Sequence, residues 1–362
     1  MKKYIILLLI FNLMLNSVTA NPKKISFVAN QETMGDGINP LSMDYFLDKQ
    51  YPYLSIIVPF LKERKYEIEV LDWKDPSIHW KNKTAIIFGP IWGYTKNSND
   101  FIRWINALER DKIKTINSLE FIRWNLRKSY LLELQKININ IPSTILVDSA
   151  SNLSLEDALI LFENQFDIND VIIKGVVDAG AFTYKHLTSK NKQECINFYE
   201  IIKSQNSGVV IQNFIPEICQ KGELRFVFYG RKLSHFFVRV PCKNEERIQP
   251  FYGGRSFHIN PSNIQSSIEE IKKEFRPDLI LNVKEIVAAR EQVKKIHSKL
   301  FSYLENIKIV PPQYLCIDGV MIDHKFTVME IEGIEPYMEM CEGMEHDPNN
   351  NIIENYFLSV IP

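Results

Sequence analysis

The first third of the chain alternates between short apolar runs and segments with helical periodicity. Strand-like apolar runs occur at residues 24–29, 67–71 and 84–89, and helical spacing of apolar residues at 53–63 and 99–108. Alternation of strands and helices is typical of a parallel sheet covered by helices. The pattern therefore predicts a parallel α/β unit over about residues 24–118.

The rest of the chain predicts two units that mix helices with antiparallel strands. Helical periodicity is found at 118–135, 155–164 and 195–205, with strand-like runs at 143–147, 171–174 and 209–214. The last part has strand-like runs at 224–229, 233–240, 314–322 and 326–332, interrupted by a long polar helical pattern at 264–304. We therefore expect an α/β (α+β) protein with units at 21–118, 119–215 and 216–362.

The first twenty residues have the pattern of a secretory leader. Lys2 and Lys3 precede an apolar run at 4–15, and small residues at 18–20 form a cleavage site. The run is short for a membrane span, and no cysteine follows the site, so neither a stable membrane anchor nor a lipid anchor is indicated. We expect residues 1–20 to be a signal peptide and the protein to be exported. The alternative is a buried first strand or an uncleaved anchor helix. If the leader is not cleaved, we expect a cytoplasmic protein.

The leader gives a direct prediction. Protein isolated from its native cell should begin at Asn21, because the basic start, the apolar length and the small-residue site all agree. N-terminal sequencing measures this. An intact Met1 in the cytosolic fraction would contradict the prediction.

Composition and charge narrow the classes of function. The 362 residues are 45% hydrophobic, and the formal net charge is −1 with no polybasic block. This argues against nucleic acid or an anionic membrane as the main partner. The five cysteines include no C-x-x-C pair and no zinc-like spacing with histidine. An exported chain could form one or two disulfides, so the cysteines leave the function open.

Three carboxylates fall within apolar strand-like runs near the C-terminus. These are Asp318, Glu330 and Glu332. Glu330 and Glu332 are two apart, so on a strand they share one face. A turn at 323–325 would bring all three acids together across an antiparallel pair, and no structural partner for them is visible in the sequence. Three oxygen donors suit Mg²⁺. The alternative is one structural ion pair and two solvated acids.

Cations occur in positions that suit a phosphate. Lys174 ends a strand-like run before the Gly-containing loop 178–183, where an ammonium and backbone N–H groups can converge on one anion. Lys128 offers a second ammonium, although a lysine on a helix surface is the ordinary alternative. Arginines whose planar forks bind carboxylate or phosphate lie on or beside the later strands, at Arg225, Arg239 and Arg247. Each arginine taken singly could be structural.

Taken in order, these motifs resemble the ATP-grasp superfamily. The matching parts are Asn125-x-x-Lys128-x-Tyr130, the strand ending at Lys174 with its Ala179-Gly180-Ala181 loop, residues 210–214, Gly222-Glu223-x-Arg225, Gly253-Gly254 and the three acids. The likeness covers about residues 24–339 and is greatest to the glutathione-synthetase-like branch and its D-cycloserine ligase type. Trp92-Gly93-Tyr94, Asn117, Ser234-His235 and Glu332-x-x-Glu335-Pro336 carry that part of the likeness. Gly175 stands where proline is usual, and the segment 264–304 is longer than usual and has no evident role.

The resemblance implies a fold and a set of roles. It implies an ATP-grasp fold, in which an N-terminal parallel α/β domain precedes two α+β subdomains that clasp ATP. Nucleotide binding would fall to Lys128, Lys174, Gly180, Gln212, Asn213, Phe214, Ile215 and Glu223. Asp318, Glu330 and Glu332 would bind Mg²⁺, with Mn²⁺ as an alternative, and Arg225, Arg239 and Arg247 would stabilise the reacting anion.

The implied activity is an ATP-dependent ligase for a small-molecule carboxylate and an amine, acting through an acyl phosphate. Trp92, Tyr94 and His235 are candidate substrate contacts, against the alternatives of domain packing and a hydrogen-bonded strand histidine. The absence of a G-x-S-x-G or Cys/His signature fits this chemistry, which needs no nucleophilic side chain. Two other functions stay open: an exported ATP-grasp protein that binds without catalysis, and a phosphotransferase. The oligomeric state is also left open.

Overall fold

The computed structural model describes residues 23–29, 52–89, 91–205, 207–340 and 351–361, so the expected leader lies outside the described residues. Its N-terminal unit is a parallel sheet in the order β2-β1-β3-β4. The strands are β1 (Lys24–Ala29), β2 (Glu67–Asp72), β3 (Ile86–Phe88) and β4 (Thr115–Ile116), with helices α1 (Pro52–Glu63) and α2 (Ser98–Arg110). Helix α2 buries Phe101, Trp104, Ile105 and Leu108, the i, i+3, i+4, i+7 stripe of an amphipathic helix. The predicted parallel layer is confirmed.

The central unit is a four-stranded antiparallel sheet in the order β5-β8-β6-β7. Its strands are β5 (Thr144–Asp148), β6 (Val171–Gly175), β7 (Tyr184–His186) and β8 (Gly208–Asn213). The chain reaches it through α3 (Leu119–Leu126) and α4 (Tyr130–Lys136), and the sheet carries α5 (Leu155–Phe166) and α6 (Lys192–Gln205). The side chains of Val147, Phe162, Ile173 and Tyr199 form the core between sheet and helices.

The helix expected over 118–135 is in fact two helices. Arg127 ends α3 in an extended conformation, with φ −109° and ψ 126°. The backbone N–H of Lys128 then donates to the carbonyl of Val176 at 2.9 Å. A lysine in a helix would donate to the residue four positions before it. This break takes Lys128 off the helix surface and into the protein, where it is 6% exposed.

The C-terminal unit is a five-stranded antiparallel sheet in the order β11-β10-β9-β12-β13. The strands are β9 (Glu223–Tyr229), β10 (Lys232–Val240), β11 (Arg255–His258), β12 (Tyr314–Ile322) and β13 (Lys325–Glu332). Its helices are α7 (Glu217–Lys221), α8 (Ile264–Glu274), α9 (Val283–Asn306) and α10 (Ile352–Val360). Among the described residues, no helix combines the length and the apolar character that a membrane crossing needs.

The long helical segment that had no evident role forms one side of the main core. Val293, Leu300 and Leu304 of α9 are buried in the same cluster as Phe226 and Ile317 of the sheet. Since these apolar side chains leave water on both elements, the segment stabilises the sheet that carries the acids.

Packing joins the units closely around α3 and α4. Leu119 and Ile122 are buried with the N-terminal unit, and Tyr130 and Leu134 with the C-terminal unit. Tyr130 accepts a hydrogen bond from the N–H of Ile331 at 2.9 Å. The side chains of residues 119–136 therefore pack on the N-terminal and C-terminal units. The predicted domain boundary at residue 119 stays a prediction.

Candidate active site

A cleft of about 460 Å³ lies between the central and C-terminal sheets. The central unit contributes Lys174, the loop 178–181 and Asn213 to its walls. The C-terminal unit contributes Arg225 and Glu330. Lys128, placed by the break between α3 and α4, also lines it. Cationic and anionic side chains from three separate parts of the chain thus meet in one cavity.

A buried ion network forms the floor of this cleft. Arg225 lies directly opposite Asp318 across the β9–β12 pair. Its Nε donates to Asp318 Oδ1 at 2.8 Å, and Arg239 Nη2 donates to Asp318 Oδ2 at 2.6 Å. Arg239 also pairs with Glu223, its cross-strand neighbour on β9. Each partner neutralises a charge that would otherwise be costly to bury.

Glu330 and Glu332 extend the network into the cleft from one face of β13. Glu332 Oε1 lies 2.6 Å from Arg225 Nη2. Glu330 pairs with the ammonium of Lys128. The pairing of β12 with β13 shifts by a β-bulge after Asp318. Gly319 follows the bulge, where a Cβ would lie 2.3 Å from the carbonyl oxygen of Thr327, so only glycine fits.

The acids have partners, which corrects the expectation that they lack them. Asp318 is 0% exposed and does not line the cleft, whereas its partners Arg225 and Arg239 do. Within the part of the chain that the structure describes, no group of three or more His, Cys, Asp or Glu side chains is arranged to hold a metal. Mg²⁺ is commonly held by one or two carboxylates together with phosphate oxygens. Glu330 and Glu332 fit that requirement, and metal binding by the three acids stays a prediction.

Burial shifts the pKa of the charged groups in the cleft. Burial, followed by the nearby charge of Lys128, lowers the pKa of Lys174 to about 8. Burial raises the pKa of Asp178 to about 6, although Lys128 opposes this. Burial also favours the neutral form of Glu330, but the charges of Lys128 and Lys174 outweigh it and lower the pKa of that carboxyl. Perturbed groups gathered in one cleft are typical of a functional site.

Several solved protein structures superpose on almost the whole of this chain. D-cycloserine synthetase DcsG superposes with a TM-score of 0.68 at 13% identity, covering 92% of this chain and 98% of that one. An ATP-grasp RimK domain protein from Sphaerobacter thermophilus superposes with a TM-score of 0.55 at 11% identity, covering 94% and 100%. The chain has the ATP-grasp fold. D-alanine–D-alanine ligase from Bacillus anthracis, solved with ATP, gives 0.57 at 13% identity and covers 94% and 97%.

Sequence comparison gives a similar result over a shorter stretch. A profile described as the N-terminal domain of D-cycloserine synthetase DcsG matches residues 40–117. The cycloserine biosynthesis protein DcsG of Streptomyces lavendulae is 20% identical over 169 residues. That alignment takes in 46% of this chain and 55% of the relative, so the chain spans about half the length of the curated relative it matches.

Most residues expected to bind nucleotide lie on the central unit's side of the cleft, while Lys128 and Glu223 line it from elsewhere. Asn213, Phe214 and Ile215 line it, and Asn213 Oδ1 is buried without a hydrogen-bond partner. Gly180 adopts φ +69° in the loop over the cleft. Gln212 does not contribute its side chain, because its Nε2 donates to Thr144 Oγ1 at 2.8 Å on the neighbouring strand. Residues alternate in direction along a strand, so Gln212 could contact a ligand there only through its backbone.

The other residues that the sequence suggested for the site lie in different parts of the structure. Arg247 lines the cleft, pairs with Glu245 at 2.8 Å and lies over the Tyr252 ring at 3.5 Å. Tyr94 is buried in the N-terminal core against Phe101, and its phenol hydrogen-bonds Glu335. The side chain of Trp92 lies outside the described residues.

His235 lies in a separate cavity. Its Nε2 donates to the carbonyl of Met338 at 2.6 Å, so Nδ1 is the acceptor for the hydroxyl of Ser234 at 3.0 Å. Burial lowers the pKa of His235 to about 4, so the ring is neutral near pH 7. The structure thus places His235 outside the nucleotide cleft, with the contacts of a hydrogen-bonded strand histidine, and its role as a substrate contact stays a prediction.

Several residues that line the cleft were not assigned a role from sequence, among them Asp178, Glu335, Tyr337 and Glu339. Burial, then the nearby Glu332 and Glu330, raise the pKa of Glu335 well above its ordinary value. Its Oε2 is buried without a hydrogen-bond partner. Glu335 could have been found from the sequence, because it lies three residues after Glu332 and directly before Pro336. That motif is part of the family resemblance, but the local pattern by itself indicated no function for it.

Proposed function

We propose that the protein is a Mg-ATP-dependent ligase that joins a carboxylate to an amine. The main support is one arrangement: two lysines and two arginines, of which Lys128 and Arg225 are buried, face a single cleft of the ATP-grasp fold together with the β13 carboxylates. Likeness to ligases at this low identity supports the fold alone. The proposal about chemistry therefore rests on the residues of the cleft.

The lysines and arginines would bind and orient the phosphates. Lys174 and Lys128 reach the cleft from the central unit and from the break before α4. Arg225 and Arg239 are fixed by Asp318, so they are pre-organised for an anion with little further loss of side-chain freedom. Glu330 and Glu332 would hold Mg²⁺, which supplies charge neutralisation to the phosphate oxygens. Asp318 would act by holding the arginines in place.

In the proposed reaction, an oxygen of the substrate carboxylate attacks the γ-phosphorus of ATP and ADP leaves. The amine nitrogen then attacks the carbonyl carbon of the acyl phosphate, phosphate leaves, and the nitrogen loses a proton. Glu335 is suited to take up that proton, because its Oε2 has no hydrogen-bond partner and its raised pKa makes its carboxylate a stronger base. Positioning and charge neutralisation supply most of the catalysis. The carboxylate, the amine and ATP are the only partners that the proposal needs.

The proposal is tested by phosphate release. Purified protein with Mg-ATP would be screened against amino acids, with hydroxylamine present to trap an acyl phosphate as a hydroxamate. A ligase releases ADP and phosphate and gives a hydroxamate for its acid. A phosphotransferase would give a stable phosphorylated product without free phosphate. Nucleotide binding without turnover for any acid would favour the non-catalytic alternative.

Lys174 is expected to dominate nucleotide affinity. Lys174→Met should weaken ATP binding about tenfold or more, because a charge-assisted contact to phosphate is lost. Isothermal titration calorimetry measures this. Lys185→Met is the matched control, since Lys185 lies on β7 of the same sheet, pairs with Glu194 and does not line the cleft. Equal affinity for wild type and Lys174→Met would place the phosphates elsewhere.

ATP affinity is also expected to fall as the pH rises through about 8, the pKa of Lys174. The lysine is charged below that pH and neutral above it, so the contact to phosphate is present at pH 7 and mostly lost at pH 9. Binding should weaken up to about tenfold over that interval. Lys174→Arg stays charged throughout and should flatten the profile. The same slope in both proteins would rule out Lys174 as the titrating group.

A further inference from the structure

A second cavity lies beside the C-terminal sheet, where β11 stops pairing with β10 and α9 passes underneath. This rear cavity has a volume of about 430 Å³ and shares no lining residue with the nucleotide cleft. Its floor includes the rings of Phe228, Phe236 and His297, and His297 stacks on Phe228 at 4.0 Å. It is the cavity in which His235 lies. Its volume is within the range of sites for small molecules.

The charges around the rear cavity are of one sign. Among the described residues its lining includes Arg231, Lys232, Arg290 and Lys294, and no aspartate or glutamate. Three histidines, His235, His258 and His297, also line the cavity. Burial lowers the pKa of His235 and of His297 to about 4, so these two add hydrogen-bonding groups but no charge near pH 7. The positive potential therefore comes from the arginines and lysines.

Nearby acids neutralise only part of this charge. Arg231 pairs with Glu305 at 2.5 Å, and Lys294 pairs with Glu291 at 2.8 Å; both glutamates are exposed and lie outside the lining. The ammonium of Lys232 donates to the side-chain oxygen of Asn355 at 2.8 Å, a neutral acceptor. Arg231 and Lys294 therefore have a carboxylate partner, whereas the hydrogen-bond partner of Lys232 is the uncharged amide of Asn355.

Arg290 is the central group. Its guanidinium lies 6.0 Å from the centroid of the Phe236 ring, and its Nε is buried with no hydrogen-bond partner. A buried N–H of a cation without an acceptor is unfavourable, and an oxyanion would supply the missing acceptor. The aromatic floor next to this cation favours a ligand with an apolar part.

We propose that the rear cavity binds a small organic oxyanion, a carboxylate or a phosphate monoester. Its anionic group contacts Arg290 and Lys232, and its apolar part lies on Phe228 and Phe236. This site is separate from the one proposed for ATP. It does not depend on the ligase reaction.

The test is calorimetric titration of the full chain with phenyl phosphate and with benzoate, in saturating Mg-ADP so that the nucleotide cleft is filled. Phenol is the neutral probe. Arg290→Met keeps the apolar stem and should weaken binding of the oxyanions about tenfold or more. Lys295→Met is the matched control, because Lys295 is an exposed cation of the same helix outside the lining and should bind as wild type does. The affinities of phenyl phosphate and benzoate show whether the site prefers a phosphate or a carboxylate. Binding of either oxyanion that is weakened by Arg290→Met supports the proposal.

If circular dichroism shows that Arg290→Met is misfolded, Lys232→Met replaces it, since Lys232 is exposed. Failure of both oxyanions to bind wild type would overturn the proposal. So would phenol binding as tightly as phenyl phosphate, or oxyanion binding that persists in the arginine and lysine variants. Binding that is lost in Lys174→Met but retained in Arg290→Met would place the probe in the nucleotide cleft and would also overturn it.

Discussion

Asp318→Asn is expected to lower the free energy of unfolding by about 3–5 kcal/mol. Asp318 is 0% exposed, and its two oxygens accept hydrogen bonds from Arg225 and Arg239. Asparagine is similar in size but neutral, so Arg225 and Arg239 would each lose the carboxylate that they share and would keep only Glu332 and Glu223 as carboxylate partners. Removing one partner of a buried ion pair costs more than the pair contributes, because the remaining charge stays out of water.

Urea unfolding followed by circular dichroism measures this effect. Glu305→Gln is the matched control, because it removes the carboxylate of an exposed pair with Arg231 and should change stability by less than about 1 kcal/mol. A similarly small change for Asp318→Asn would show that the arginines have other acceptors. The sequence showed the acid at position 318 but not its two arginine partners.

Glu330→Gln is expected to reduce ATP turnover about 100-fold or more while the protein stays folded. Glu330 faces the cleft, pairs with Lys128 and is influenced by the charge of Lys174. The substitution removes both a proposed Mg²⁺ ligand and the counter-charge of the lysines that bind phosphate. Loss of such charge stabilisation is worth several kcal/mol in the transition state.

Steady-state phosphate release measures turnover once the acid substrate is found, and ADP release without acceptor gives a first value. Glu305→Gln again serves as control, since it lies outside the cleft and should keep wild-type rates. A melting temperature close to that of wild type would separate a catalytic effect from unfolding. Near-normal turnover in Glu330→Gln would remove Glu330 from the metal site.

The sequence predicted the elements well where periodicity is local. The parallel N-terminal layer and the four long strands at 224–229, 233–240, 314–322 and 326–332 lie close to the strands found. It was wrong at residues 118–135, where two helices replace one. Nothing in the apolar spacing of that segment indicates a break, because the break is held by a hydrogen bond from Lys128 to Val176, on another part of the chain.

The site, too, could be predicted only in part, because contacts between distant parts of the chain decide where each side chain lies. Lys128, Lys174, Arg225 and Glu330 all line one cleft, as expected from their order along the chain. His235 has the same kind of local context, a polar residue in an apolar strand, yet it lies in the rear cavity. Side chains of a strand alternate between faces, and a register shift between Leu233 and His235 makes the face of His235 hard to infer from sequence.

The sequence by itself determined the class of fold and the residue types available for binding phosphate. Those features depend on periodicity and on short motifs, which neighbouring residues specify. Tertiary structure alone decided which charges are partners, since Arg225 and Asp318 are 93 positions apart yet lie opposite each other in the sheet. It also decided that Asp318 is buried outside the cleft lining while Glu330 faces the cleft. Burial and pairing arise from contacts between distant segments, so they set the charge and the role of each carboxylate only after the chain has folded.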